Sequence, residues 1–256
     1  MYADDIKIYR TIDSPLDYVH LQQSIDLVYA WSVKYQLPLA PHKCQALYIG
    51  SRNPKTDYLC NGILLTKVKE VKDLGFIVTN NLSFSKHVLH VCNQARKRMF
   101  ALFRTLKTHK AKILVLAYCL YVRSILESGS VVYNPYKKKD ILALERVQRM
   151  FTKRVFMRSL LFSYNDTPSP SDRSKALQLD PLDTRRKRAD LKMLRKILAG
   201  KCGVSLQNMY KFRPFGYSSR RGRNRIIIAR AAKIVRRHSF VHRTSILFEE
   251  SPDIIF

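Results

Sequence analysis

The chain has 256 residues, of which 46% are hydrophobic, enough for one large domain or two small ones with a packed core. Its 47 Lys and Arg against 19 Asp and Glu give a net charge of +28, which points to a polyanionic partner, either nucleic acid or an anionic membrane surface. The longest apolar run, residues 113–122, is only 10 residues and too short to cross a bilayer. With no signal-peptide pattern either, we expect an intracellular protein, nuclear or cytoplasmic, that is not secreted and does not enter a membrane.

Cysteine usage and the distribution of charge refine this expectation. The five cysteines are scattered, with no CxxC pair and no Cys/His cluster at ligand spacing, which favours reduced thiols over disulfides or a zinc site. Residues 1–90 hold 10 Lys/Arg against 8 Asp/Glu, whereas the remaining residues hold 37 against 11. We therefore expect a near-neutral first region and a strongly basic second one.

The first region begins with a strand pattern and a helix pattern. Residues 6–9 (Ile-Lys-Ile-Tyr) alternate apolar and polar side chains, which predicts a half-buried strand with the Asp4-Asp5 pair at the turn of a hairpin. Ser14 and Pro15 are typical of an N-cap and a first helical position. Apolar side chains then recur at helical spacing up to a limit at Pro38: Tyr18, Leu21, Ile25, Val28 and Trp31.

Strand patterns follow this helix. Residues 44–49 and 70–78 each predict a strand, and Asn61-Gly62 between two apolar runs is typical of a type I′ hairpin turn. Residues 1–83 are therefore predicted to be a helix packed on an antiparallel sheet, and the fold class to be α+β.

After Ser83 the apolar residues recur at the spacing of a helix and no longer at that of a strand. Helices are predicted over 84–106, 111–126 and 140–161, with residues 84–162 forming a mainly helical region. Residues 163–171 have the composition of a linker, and a further helix is predicted over 182–198 with Gly200 at its C′ position. Beyond Gly203 the pattern becomes Arg-rich and weakly periodic, so residues 163–256 are expected to form a basic region with one long helix.

The adjacent carboxylates of Asp4 and Asp5 are the first candidates for chemistry. Polymerases transfer phosphoryl groups with two divalent metals about 4 Å apart, which closely spaced carboxylates hold. A tight hairpin with adjacent aspartates would present such a carboxylate at a fixed depth. The alternative is an ordinary acidic turn, because Asp is common in turns.

The segments that follow favour the first interpretation. The series is Tyr2-Ala3-Asp4-Asp5-Ile6-Lys7-Ile8-Tyr9, then Trp31-Ser32, then residues 37–44 ending in Lys43-Cys44, then Val71-Lys72-Asp73-Leu74-Gly75. In order and spacing it resembles the rear half of a reverse transcriptase, most closely that of non-LTR retrotransposons of the jockey and CR1-like kind. Residues 121–127, 144–149 and 182–191 resemble the region that follows in those polymerases. The resemblance spans nearly the whole chain.

The resemblance implies roles for particular residues. Asp4 would be a magnesium ligand of the third palm motif, Asp5 its neighbour with a lesser role, and Tyr2 would lie beside the primer end. Lys43 matches the lysine of the fourth motif, a candidate proton donor to the departing pyrophosphate, although a solvated lysine after a turn is the other interpretation. Leu74 and Gly75 would belong to the primer grip, where a glycine lets the backbone approach the primer, unless Gly75 is only a strand kink.

The first palm motif of that family, with its essential aspartate, and the fingers are not in this sequence. No nearby carboxylate replaces them, since Asp13 and Asp17 fall at the start of the predicted helix. We therefore expect a fragment of a longer polymerase that makes no DNA by itself and binds magnesium weakly or not at all. The missing part could be an upstream polypeptide of the same element. No small-molecule cofactor is expected.

The basic half would be the thumb and its C-terminal extension, which grip RNA template and DNA primer through phosphates. Phosphate contacts weaken steeply with salt and carry little sequence information. Some clusters, such as residues 137–139, could be solvated helix faces, and residues 185–188 also fit nuclear import. The candidate nucleic-acid contacts are Arg96, Lys97, Arg98, Arg185, Arg186, Arg188, Arg220, Arg221 and Arg223.

Three hypotheses remain open from the sequence. The chain could be a truncated reverse transcriptase with vestigial catalytic residues. It could serve as a non-enzymatic protein that binds RNA or DNA without sequence specificity. It could also be a subunit that another polypeptide completes.

Overall fold

A computed structural model of the chain describes residues 5–51, 53–203, 209–212, 226–228 and 230–250. The chain divides into two compact units, Met1–Ser83 and Phe84–Phe256. The first combines a helix with short strand pairs and the second is helical, so the protein is α+β. The second unit takes in both of the regions predicted over 84–162 and 163–256.

The first unit begins its regular structure with helix α1, Pro15–Lys34. As predicted, Ser14 is the N-cap and Pro15 the first helical residue. The Asp17 carboxylate accepts hydrogen bonds from the backbone N–H groups of Ser14 at 2.8 Å and Asp13 at 3.1 Å. It thereby provides an acceptor for N–H groups that have no partner within the helix. The Arg10 side chain, which donates to Asp17, holds the pKa of this carboxyl well below its usual range.

Six short strands follow, arranged in three separate pairs: β1 Gln45–Leu47, β2 Leu59–Cys60, β3 Ile63–Leu64, β4 Thr66–Val68, β5 Glu70–Asp73 and β6 Phe76–Thr79. Strands β2 and β3 form one antiparallel pair and β5 and β6 another, but β1 pairs with β4 in parallel. The prediction of one antiparallel sheet is therefore wrong. Parallel pairing requires a connection that returns the chain to the starting end of the first strand, and here the β2–β3 hairpin lies within that connection.

The two antiparallel pairs are both two-residue hairpins. Asn61 and Gly62 join β2 to β3 with φ of 51° and 72°, which confirms the predicted type I′ turn. The strand predicted over 70–78 is instead the β5–β6 hairpin, turning at Leu74 and Gly75 with φ of 45° and 88°. The Leu-Gly pair lacks the usual turn composition, which is why the sequence pattern suggested one strand.

The strand predicted over residues 6–9 is also wrong. Residues 6–10 have no regular secondary structure, and Tyr9 is 92% exposed. Alternation alone does not make a strand, because the backbone also needs a partner ladder for its N–H and C=O groups. One side chain of the segment is fixed by a charge pair: Lys7 Nζ lies 2.6 Å from Asp73 Oδ2 at the end of β5.

The core of the first unit is small. Tyr58, Cys60 and Leu65 are its buried hydrophobic residues, and Tyr18, Leu21 and Ile25 of α1 pack against them, as their helical spacing predicted. Trp31, expected on the same face, is 38% exposed and contacts Tyr35 with ring centroids 5.5 Å apart. Most of the other large apolar side chains of α1 are exposed as well.

The described part of the second unit is mainly helical, with one isolated antiparallel bridge between Phe212 and Ile226. Its helices are α2 Ser85–Thr105, α3 Ala111–Tyr118, α4 Ser124–Glu127, α5 Ser130–Tyr133, α6 Lys138–Ser159, α7 Pro170–Ala176, α8 Leu182–Leu198, α9 Ile234–Arg237 and α10 Phe240–Glu250. A π-helical turn, Cys119–Arg123, joins α3 to α4 without a break. The helices predicted over 84–106 and 111–126 are confirmed, and the one predicted over 140–161 lies two residues earlier.

The core of the second unit follows the predicted apolar stripe of α2. All seven members of the stripe are buried: Val88, Val91, Cys92, Ala95, Met99, Leu102 and Phe103. They face α6, whose Phe151 ring stacks on Tyr118 of α3 at 4.1 Å. The Tyr118 hydroxyl donates to Gln148 Oε1 at 3.1 Å, and Gln148 Nε2 donates to the Asp180 carbonyl at 2.9 Å. These bonds satisfy polar groups that the packing buries.

Helix α8 confirms its predicted bounds and its Gly200 terminus, where φ is +65°. The expectation of one long helix beyond residue 162 is nevertheless incomplete, because α7, α9 and α10 are also present. Helix α10 packs against α8. Phe240, Val241 and Phe248 of α10 pack against the core, and its most buried positions, Thr244 and Ser245, are polar.

A buried charge network joins α8, α10 and the end of α5. Asp190 of α8 is fully buried and accepts two bonds from Arg243 of α10, at 2.9 and 3.0 Å. Asn134 Nδ2 donates to the same carboxylate at 2.7 Å. Arg243 also donates to the Val131 and His238 carbonyls, so both charges have hydrogen-bond partners. Among the described helices, none is long and apolar enough to cross a membrane.

Candidate nucleic-acid interface

The residues expected to carry polymerase chemistry lie in the first unit. Asp4 and Tyr2 are outside the described residues. Asp5 is exposed, and the segment that follows it is held to the β5–β6 hairpin by the Lys7–Asp73 ion pair. The Lys7–Asp73 ion pair thus joins two segments of the motif series that are 66 residues apart in sequence.

Lys43 lies in a short 3₁₀ turn, Pro41–Lys43, directly before β1. Its side chain is exposed and makes no hydrogen bond or ion pair with another described residue. The amine can therefore reach a ligand, but nothing in the described part of the chain orients it toward one. Its role as proton donor stays a prediction.

Leu74 and Gly75 form the tip of the β5–β6 hairpin, with Leu74 half exposed. A Cβ placed on Gly75 would meet no atom within 4 Å, so crowding by this chain does not require glycine there. Its positive φ does. The strand-kink alternative is thus replaced by a hairpin turn, and the primer-grip role stays a prediction.

The carboxylates in the described residues do not fit a two-metal centre. No group of three or more His, Cys, Asp or Glu side chains lies together in the part of the chain that the structure describes. Asp5 therefore belongs to no such group among these residues, whereas two divalent ions require several carboxylates. We assign no catalytic step to these residues.

The second unit has a different character, because it holds 38 Lys/Arg against 11 Asp/Glu. Residues 74–126 and 146–165 contain no Asp or Glu at all, and these ranges include all of α2 and the C-terminal two-thirds of α6. Since α2 and α6 pack on each other, α2 and the acid-free part of α6 make one surface. A phosphate approaching it meets no carboxylate from either segment.

The predicted cluster on α2 contributes to this surface in part. Lys97 and Arg98 are exposed and have no ion pair with a described residue. Arg96 is half-buried and donates to Asn93 Oδ1 at 3.1 Å, within its own helix. Arg104, two turns after Lys97, is also exposed, and Phe100 lies between them on the same face.

Cations of α6 lie over aromatic rings on the same surface. The Arg154 guanidinium is 4.5 Å from the Phe100 ring centroid and Arg158 is 5.0 Å from that of Phe103. Lys153 Nζ lies 3.2 Å from the Tyr164 centroid. Such contacts hold cations in place without neutralising them, so they remain able to attract phosphate.

Arg158 is fixed further by the backbone. Its two terminal nitrogens donate to the Leu106 carbonyl at 2.7 Å and the Phe103 carbonyl at 2.8 Å, at the C-terminus of α2. A cation at a helix C-terminus is favoured by the helix dipole. We define the α2–α6 basic face by Lys97, Phe100, Arg104, Lys153, Arg154, Arg158 and Tyr164; Arg98 lies nearly opposite Phe100 on the helix and is not part of it.

In the cluster at 185–188, Arg185 is paired within the protein and Arg186 is buried, whereas the nucleic-acid role of Arg188 stays a prediction. Arg185 makes a bidentate pair with Glu127, and this hydrogen bond raises its pKa further. Arg186 is 1% exposed and its nearest charge is Asp183, at 3.6 Å. Arg188 is exposed but paired with Asp180. Position 186 is four residues from both Leu182 and Asp190, so helix geometry places it on the buried face.

Arg220, Arg221 and Arg223 lie outside the described residues. The sequence interpretation missed Lys153, Arg154, Arg158 and Tyr164, because it looked for runs of consecutive basic residues. The signal that could have found them is the absence of acidic residues over 146–165, combined with basic residues at helical rather than consecutive spacing.

Comparison with known proteins finds a similar segment in an uncharacterized protein of Caenorhabditis elegans. The two are 32% identical over 111 residues, which is 43% of this chain and 56% of the worm protein. The match thus spans little more than half the length of that relative. No family model matches the chain, and no solved structure matches it significantly.

Proposed function

We propose that this chain is the rear part of a reverse transcriptase, an RNA-directed DNA polymerase of a non-LTR retrotransposon, and that its second unit binds RNA template and DNA primer. The first unit would be part of the palm and the helices from α2 onward a thumb with a basic extension. The observation that carries the nucleic-acid binding is the α2–α6 basic face, where exposed cations have no carboxylate partners in two acid-free segments.

The polymerase assignment draws on the motif series from Tyr2 to Gly75. Contact between the segment after Asp5 and the β5–β6 hairpin, through Lys7 and Asp73, supports it. These 256 residues do not contain the first palm motif, so by themselves they would bind template and primer without extending it. Magnesium would then belong to a palm that includes an upstream polypeptide of the same element.

The test measures binding and synthesis on one preparation. Binding to a labelled RNA–DNA hybrid, followed by fluorescence anisotropy, should weaken by about 10³-fold or more between roughly 50 and 200 mM salt if six or more phosphates are contacted. Replacing Lys97, Arg104 and Arg154 by Gln should make the salt dependence shallower, by about 0.9 in slope for each phosphate that is no longer neutralised. A matched triple variant at Lys138, Lys139 and Lys112, also exposed, controls for overall charge. Equal effects of the two variants would overturn the assigned face.

Primer extension with magnesium forms the second arm. The chain alone should make no product, and robust synthesis that depends on Asp4 would contradict this part of the proposal. Addition of a polypeptide carrying the fingers and first motif should restore synthesis.

A second candidate, a non-enzymatic nucleic-acid-binding protein, is favoured by the confinement of charge to the second unit. It predicts tight binding that survives Asp4→Ala and no synthesis under any complementation. Synthesis after addition of a polypeptide with the fingers and first motif therefore distinguishes the two candidates, because only the first predicts it.

A further inference from the structure

A cleft of about 570 Å³ opens on the α2–α6 basic face. Its volume lies in the range of small-ligand sites, about 300–1,000 Å³. The lining combines apolar and aromatic side chains with three cations and includes no acidic residue: Phe103, Met150, Lys153, Arg154, Met157, Arg158 and Tyr164. Apolar walls with a cationic rim suit a flat, uncharged ring attached to a negatively charged backbone.

We propose that this cleft receives one unstacked base of a single-stranded nucleic acid, with the neighbouring phosphates on Lys153 and Arg154. The inference rests on the proposed nucleic-acid binding and adds the class of substrate. The second unit would then bind the bases of single strands in addition to the phosphates of a duplex.

Tyr164 is the stacking platform. Tyr164 is 66% exposed and Lys153 covers one face of its ring, which leaves the other face for a base. Stacking on an aromatic ring is available to every base, because each has a π-face. Met150 and Met157 line the same cleft with flexible thioether side chains that adapt to rings of different size.

The cations at the rim are already in place before a ligand arrives. Arg158 is held by two carbonyls and by the Phe103 ring, and Arg154 lies over Phe100. Neither Lys153 nor Arg154 has a carboxylate partner among the described residues. Phosphate binding would therefore break no existing ion pair and would order few side chains, so little of its free energy is lost.

The apolar lining, which includes the buried Phe103, distinguishes a single strand from a duplex. In a duplex the bases are paired and stacked inside, and only edges and phosphates reach a protein surface. A base that has been splayed out can enter a cleft and stack on an aromatic ring. The cleft should thus discriminate for exposed bases, whereas the rest of the basic face should bind either form.

The experiment compares three labelled oligonucleotides of equal length: oligo(U), the same strand in a duplex, and an abasic strand. Tyr164→Ala in the full chain should weaken oligo(U) binding by about 5-fold to 100-fold, and should leave the abasic strand and the duplex within about 2-fold. Tyr164→Phe should retain binding, because it keeps the ring. Tyr121→Ala is the matched control, since Tyr121 is 63% exposed and lies outside the cleft.

Equal effects of Tyr164→Ala and Tyr121→Ala, or equal weakening on the abasic strand, would overturn the cleft proposal. Lys153→Gln provides a second variant if Tyr164→Ala does not fold, and should weaken oligo(U) binding more than Lys139→Gln does. If the wild-type chain binds none of the three ligands, the proposed function fails. If it binds all three and the cleft variants change nothing, only the cleft assignment fails.

Discussion

Asp190 shows how a single residue can escape sequence interpretation. It lies in α8 among basic residues, and nothing in its immediate neighbours marks it as buried. Its helical position does, because Leu182, Arg186, Asp190, Leu194 and Ile197 all fall on the buried face. The partner that makes burial tolerable, Arg243, lies 53 residues later, and no sequence spacing indicates such a pair.

Removing this partner should be costly. We expect Arg243→Ala to lower the free energy of unfolding by about 3–5 kcal/mol, because it leaves the buried Asp190 carboxylate without a countercharge. Urea denaturation followed by circular dichroism measures the change. The matched control is Arg188→Ala, which breaks an exposed pair with Asp180 and should cost about 1 kcal/mol or less. Similar losses for the two variants would contradict a structural role for the buried network.

At the scale of elements, prediction succeeded where local signals were strong. The apolar stripe of α2, the bounds of α8 and the Asn61-Gly62 turn were all found, because helical spacing or turn composition determines them. Predictions failed where tertiary pairing decides. The segment over 6–9 has strand-like alternation without a strand partner, and the apolar stripe of α10 is interrupted by the buried polar residues Thr244 and Ser245.

The β5–β6 turn, where the sequence pattern predicted one continuous strand, can be tested by substitution. Leu74 has φ of 45°, a conformation that Asn adopts far more readily than Leu. We expect Leu74→Asn to stabilise the chain by up to about 1 kcal/mol and Gly75→Ala to destabilise it by about 1–2 kcal/mol.

Thermal or urea unfolding checks both changes in the turn. Leu64→Asn, at a similarly exposed strand position in the other hairpin, is the control for the change of side chain and should not stabilise. A destabilising Leu74→Asn would contradict the turn conformation.

The whole molecule is unevenly packed. Buried hydrophobic residues of the first unit are few, namely Tyr58, Cys60 and Leu65, whereas each long helix of the second unit contributes several. Local stability follows the number of buried apolar contacts. We therefore expect the first unit, whose net charge is near zero, to be the less stable of the two, a difference that composition alone did not indicate.

Hydrogen exchange should detect this difference. We expect backbone amides within α1 and the β2–β3 hairpin to exchange at least about 10-fold faster than those within α2 and α6, since local opening there exposes less apolar surface. The full chain is exchanged in deuterated water and then digested with pepsin, and mass spectrometry of the peptides gives the rates. Only peptides from helical or strand-paired segments are compared, so that the compared amides all have backbone hydrogen-bond partners. Equal protection of α1 and α2 would contradict the expectation.

The Asp190–Arg243 pair also has a consequence for the order in which the protein is made. Synthesis runs from the N-terminus, and domains fold as units when their residues have emerged. Asp190 leaves the ribosome 53 residues ahead of Arg243. Until α10 follows, α8 cannot be buried without an uncompensated charge. Folding of the second unit around α8 therefore waits until residue 243 has been made, and a ribosome that stops earlier releases a chain in which Asp190 lacks its countercharge.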